Sequence, residues 1–189
     1  QSSSLVCGSI NYRNYDDALE AVEWLRGQAA KYGGNPDKVA LYGYSAGGRT
    51  AGDAALLGKN NQAVQGAVLA AGAVSKHVLH ATPGSPPFLV IHCKDDPKVS
   101  FSGAVLLESD LKSKGVAVDT LYFPTGGHNP YSHKEEFYGK LNTWCQQTLG
   151  VGRPVQGPGP TPAPTSTPTT TPAPTEASTE ASTEASTEA

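Results

Sequence analysis

The sequence predicts an α/β fold, a mostly parallel sheet with helices on both faces, and three observations carry it. Short apolar runs of strand length alternate with amphipathic stretches of roughly ten to fifteen residues. Turn signals rich in Gly, Pro and Asn separate them, and every aromatic residue lies before Gly150. The runs are nearly continuous in hydrophobicity, as strands are when helices cover both faces of their sheet.

Residues 5–10 read as a first buried strand ending in Asn11-Tyr12-Arg13. A helix follows over 15–26, with Ala18, Leu19, Val22 and Leu25 on one face at helical spacing and Asp16 or Asp17 as its cap. It should end near Gly33, where Gly33-Gly34-Asn35-Pro36 turns the chain into a strand at 39–42. From Ala46 a short helix is expected to reach Leu57 and stop at Gly58. Strand 63–71, a loop at 72–87 holding His77 and His80, and strand 88–92 come next. Helix 100–114, strand 116–123 and helix 135–149 complete the alternation.

Composition shifts sharply near Gly150, so a folded domain is expected over 1–150 and an unfolded tail over 151–189. The tail is Pro/Thr-rich and then repeats Thr-Glu-Ala-Ser; it lacks apolar residues to bury, so it should be disordered. Dense hydroxyls among prolines are the composition of O-glycosylated stalks, which suggests secretion or surface display. The first 150 residues carry thirteen acidic and thirteen basic residues. That balance argues against a nucleic-acid partner, which demands a surplus of Lys and Arg on one face. No apolar stretch approaches bilayer-spanning length. The chain has no methionine, so Gln1 is expected to follow a processed leader or an upstream segment. Cys7, Cys93 and Cys145 match no zinc or redox spacing and allow one disulfide with one free thiol. His77 and His80 offer two nitrogens without a third ligand, so no metal site is expected.

The stretch Gly43-Tyr44-Ser45-Ala46-Gly47 has the form G-x-S-x-G, which is cheap in a chain with 21 glycines. Its context is not cheap. A strand before the serine and a helix after it are what a nucleophile elbow needs, with glycines where the two backbones crowd. A serine hydroxyl attacks an ester only with an imidazole in hydrogen-bond reach and a carboxylate to orient that imidazole. Both are offered just beyond later strands: Asp95-Asp96 after 88–92, and Gly126-Gly127-His128 after 116–123, with His133 as a rival base that reads better as a surface or capping residue. Parallel sheets gather functional residues at the carboxyl ends of their strands, so the three loops can converge.

The segments "YGGNPDKVALYGYSAGG", "PPFLVIHCKDDPKVSF" and "PTGGHN" resemble the elbow, acid loop and histidine loop of serine esterases of the α/β-hydrolase superfamily, in its carboxylesterase, hormone-sensitive-lipase and feruloyl-esterase-like branches. The resemblance implies Ser45 as nucleophile, His128 as base and Asp96 as acid, with Asp95 the fallback and His92 a structural residue at a strand end. It implies the Ala46 amide as an oxyanion donor, no cofactor, and a small or polymer-linked ester as substrate. Two departures stand out. Cys93 occupies a position where the family carries glycine, which should crowd the acid loop, and nothing before Ser45 resembles the family's His-Gly-Gly oxyanion loop. The chain is therefore expected to be an N-terminally shortened member. Peptidases of the same fold, and a non-catalytic surface protein with a relic hydrolase fold, are the other readings.

Overall fold

The computed structural model describes residues 14–73 and 76–150. The expected strand at 5–10, Cys7 and the tail lie outside the described residues. Among the described residues four α-helices and four strands follow in the order α1 (Tyr15–Ala29), β1 (Ala40–Tyr44), α2 (Ala46–Leu57), β2 (Gly66–Ala70), β3 (Phe88–Cys93), α3 (Phe101–Ser113), β4 (Val118–Phe123) and α4 (Lys134–Leu149). All strand pairs are parallel, in the spatial order β1-β2-β3-β4. The α/β fold class read from the sequence is the one observed.

Side-chain alternation along the strands divides the core in two. Ala67, Leu69, Phe88 and Val90 face α1, α2 and α3, joining Val22, Ala55, Leu56, Leu107 and Leu111. Val68, Ala70, Leu89 and Ile91 face α4, joining Phe137 and Trp144. Every residue of β2 and β3 is buried, so these strands read as unbroken apolar runs although their side chains alternate between two cores. Burying a side chain such as Leu69, Phe88 or Ile91 contributes about 1.5–3 kcal/mol, and this fixes the two central strands as the rigid base of the molecule. β1, at the edge of the described sheet, is less covered: Tyr42 and Tyr44 remain half-exposed on the α4 side.

Three boundaries differ from the sequence reading for physical reasons. The cap of α1 is Asn14, not Asp16 or Asp17. Its side chain accepts from the amides of Asp16 (2.8 Å) and Asp17 (3.2 Å), while the Asp17 carboxylate accepts from the Asn14 amide, closing a capping box. The strands expected at 39–42 and 63–71 begin later, at Ala40 and Gly66. Just before them the Gln65 side chain accepts from the Val39 amide at 2.8 Å, and the Arg26 guanidinium donates to the carbonyls of Pro36 and Ala63. Side chains thus take the backbone partners that a longer ladder would have used.

Candidate active site

β1 runs into α2 through one residue, Ser45, with φ 53° and ψ −120°. A non-glycine residue in this region stores strain of about 1–3 kcal/mol and persists only where its surroundings enforce it. Here the Ser45 amide donates to the Ala70 carbonyl of β2 (2.9 Å), and its carbonyl accepts from the Arg49 amide of α2 (3.2 Å). The serine is thereby presented at the carboxyl end of the sheet. Ala46 is the first residue of α2, and helix geometry leaves the amides of that first turn without an intrahelical partner, with the positive end of the helix dipole beside Ser45.

The loops after β3 and β4 bring the other candidates to the same place. His128 Nε2 lies 2.8 Å from Ser45 Oγ, and His128 Nδ1 lies 2.8 Å from Asp96 Oδ2. A carboxylate only accepts, so the imidazole proton sits on Nδ1 and Nε2 accepts from the serine hydroxyl. Ser45, His128 and Asp96 are brought together as one hydrogen-bonded chain.

Asp96 is fully enclosed at its side chain. Burial opposes its ionisation, but the Val99 amide, the His128 imidazole and the Lys98 amide outweigh it and hold the carboxyl below its usual range. A depressed folded-state value means that ionised Asp96 stabilises the fold above the ordinary aspartate range, near about pH 4, and that this is lost as pH falls through the lowered value. Asparagine imitates the protonated acid. The stability gap between the wild type and Asp96→Asn is therefore expected to be full at neutral pH and to close on acidification, as read by urea midpoints; a gap that widens in acid contradicts this account.

Asp95, the fallback acid, has a different task. Its two carboxylate oxygens accept from the amides of Gly126 (3.2 Å) and Gly127 (2.8 Å), tethering the loop that carries His128. The neighbouring aspartates split the work, one holding the imidazole and one its backbone. Tyr44 adds a second tether: its hydroxyl donates to the His128 carbonyl, and its ring centroid lies 5.2 Å from the imidazole. Sequence reasoning passed over Tyr44, and its place one residue before the serine at the end of β1 was the available signal.

His133 does not reach Ser45; it stands at the N-cap position of α4 without a side-chain capping bond. Its ring stacks on Phe123 at 4.1 Å, and its Nε2 donates to the Thr125 carbonyl at 2.6 Å. His77 and His80 stack on each other at 5.9 Å, with Tyr15 edge-on to His77. Among the described residues no group of three His, Cys, Asp or Glu is gathered as metal ligands would be. Cys93 and Cys145 are free thiols. Burial and the nearby Asp95 and Asp96 push the Cys93 thiol up to about 11, so it stays protonated at neutral pH.

Cys93 does not displace Asp96, because Gly126 yields the space. A Cβ on Gly126 would lie 2.8 Å from Cys93 Sγ and 3.0 Å from Ser132 Oγ, and its φ of +131° suits only glycine. Overpacking and backbone strain each cost about 1–3 kcal/mol. Gly126→Ala is accordingly expected to destabilise the fold and to displace His128, and Cys93→Ala to recover part of the loss. A double-mutant cycle in urea should give a coupling of about 0.5–3 kcal/mol; strict additivity counts against the contact.

Comparison with known proteins agrees with this geometry. A carboxylesterase family model matches residues 11–86 and a prolyl oligopeptidase family model matches residues 74–152. Among solved structures, a truncated carbohydrate esterase from gut microbiota superposes with a TM-score of 0.65 at 17% identity, covering 72% of this chain and 68% of that one. An acetyl ester-xyloside bifunctional hydrolase from Caldicellulosiruptor lactoaceticus gives 0.63 at 18% identity, covering 72% and 66%. A thermophilic esterase from Thermogutta terrifontis gives 0.61 at 19%, covering 73% and 64%. This chain thus spans about two thirds of the length of these structures. No curated protein sequence matches it. A parallel sheet in which the serine turn follows β1, the acid loop β3 and the histidine loop β4, partial matches to a carboxylesterase and a prolyl oligopeptidase family model, and the likeness to these structures show that the chain has the α/β-hydrolase fold.

Proposed function

We propose that the chain is a serine ester hydrolase in which Ser45 is the nucleophile, His128 the general base and acid, and Asp96 the residue that orients the imidazole. The observation that carries this reading is the continuous hydrogen-bonded run from Ser45 Oγ through both nitrogens of His128 to Asp96 Oδ2. As Ser45 Oγ bonds to the ester carbonyl carbon, its proton passes to His128 Nε2, and the negative charge moves to the carbonyl oxygen. This reading assigns the Ala46 amide, at the start of α2, as a donor to that oxygen. When the tetrahedral species collapses, His128 returns the proton to the departing alcohol and an acyl group remains on Ser45. Water then enters, gives its proton to His128, and releases the acid as Ser45 is reprotonated.

Short acyl esters on carbohydrates are the substrate class best supported, since structural neighbours include a carbohydrate esterase and an acetyl ester-xyloside hydrolase. The prolyl oligopeptidase match over the acid and histidine loops favours a second reading, a peptidase acting on amides. The Pro/Thr-rich residues after Gly150 support a secreted or surface setting for either activity. A fluorophosphonate probe tests the mechanism: Ser45 should be labelled, and labelling should disappear in Ser45→Ala. A folded protein that resists the probe sinks the reading in favour of a relic fold. Acetylated oligosaccharides set against peptide amides then separate esterase from peptidase.

A further inference from the structure

His92 ends β3 with its side chain fully buried, and the Ser45–His128–Asp96 chain leaves it without a part. Its Nε2 is hydrogen-bonded to the Val99 carbonyl at 2.9 Å and also lies 3.2 Å from Asp96 Oδ2, a close electrostatic approach. That second oxygen is the one His128 holds at 2.8 Å. Both neighbours only accept, so Nε2 must carry the proton. Its Nδ1 is buried without a hydrogen-bond partner among the described residues, and the ring packs toward Phe101 at 6.2 Å. A histidine serving only as filler would gain nothing from an orphaned nitrogen that a phenylalanine or leucine avoids. The orphan accompanies an Nε2 that holds the acid loop at the Val99 carbonyl.

Asp96 is then held at both oxygens. Oδ1 accepts from the Lys98 amide (2.8 Å) and the Val99 amide (3.0 Å), and the Val99 carbonyl turns back to His92. With Oδ1 fixed by the loop backbone and one side of Oδ2 occupied by His92, the remaining direction on Oδ2 points to His128. We propose that His92 is a positioning residue of this site, a neutral imidazole whose Nε2–H, donated to the Val99 carbonyl and close to Oδ2, holds the acid loop so that Asp96 faces His128. The proposal rests on the reading of Ser45, His128 and Asp96 as a hydrolytic triad.

The test uses the full chain and begins with the wild type, labelled with 15N-histidine. NMR should find His92 in the Nε2–H tautomer; the Nδ1–H tautomer overturns the proposal, because Nε2 would then repel both oxygens. His92→Phe keeps the bulk and removes the donor, whereas His92→Gln returns an N–H near the former Nε2. In His92→Phe the downfield proton signal of the His128–Asp96 hydrogen bond should move or vanish. In the same variant kcat should fall by roughly tenfold with KM little changed, as expected for the loss of one buried hydrogen bond that holds the acid loop. His92→Gln should restore most of both. A folded His92→Phe with the wild-type signal and kcat overturns the proposal. If His92→Phe does not fold, the wild-type tautomer and the Gln variant decide. If the wild-type serine resists fluorophosphonate, the triad reading fails, and the proton signal still reports whether His92 aims Asp96.

Discussion

Ser45→Ala and His128→Ala are each expected to lower kcat on a short-chain ester by on the order of a millionfold, and the double variant no further. The two groups act as one unit. Without the hydroxyl the imidazole has nothing to deprotonate, and without the imidazole, 2.8 Å away, the hydroxyl is too weakly acidic to attack. The free energies should therefore be non-additive, with KM nearly unchanged because neither substitution removes a group that grips the substrate. Asp96→Asn should cost about ten-thousandfold, since an amide at that place can donate to His128 Nδ1 and favour the wrong tautomer. Asp95→Ala removes two loop hydrogen bonds and leaves the proton path intact, so a loss of about tenfold is expected. Steady-state kinetics on the wild type and these five variants, at matched concentrations of folded protein, read out this ranking. A larger loss in Asp95→Ala than in Asp96→Asn reverses the assignment of the two aspartates.

The aspartate pair marks where the sequence was legible and where it was not. The alternation of strands and helices, and the placing of Ser45, Asp96 and His128 after three strands, follow from local signals: apolar runs, glycine turns and the chain order of the loops. The resemblance to esterase loops chose Asp96 over Asp95. What separates the two physically is a bond from Asp95 to amides 31 and 32 residues away, and nothing local to either loop announces it. The same holds for Cys93. Read locally it crowds the acid loop, yet the relief comes from Gly126 on another loop, and only the fold brings them together. The cap of α1 was misassigned for the opposite reason, a surplus of local candidates: Asn14, Asp16 and Asp17 can all cap, and the backbone turn at Asn14 decides. His133 stood where a cap stands, but stacking on Phe123 from β4 claimed its ring.

Gly43→Ala is expected to have the largest effect of any alanine substitution outside the triad, with a loss of stability above about 4 kcal/mol and no labelling of Ser45. A Cβ at that position would lie 2.0 Å from the Gly47 carbonyl oxygen, 2.2 Å from its carbon and 2.5 Å from the Gly48 nitrogen. All three are backbone atoms, so no side chain can swing aside. Relief requires α2 to move off β1, which would release the strained Ser45 backbone and pull its hydroxyl from His128. Gly27→Ala provides the contrast. Gly27 lies inside α1 with nothing within 4 Å of an added Cβ, so the same methyl there should stabilise by about 0.5–1 kcal/mol through helix propensity. Urea midpoints of the two variants should thus move in opposite directions from the wild type. A Gly43→Ala protein that folds and still takes the fluorophosphonate at Ser45 would mean that the elbow does not depend on this crossing. The strain at Ser45 would then need another source than the packing of α2 against β1.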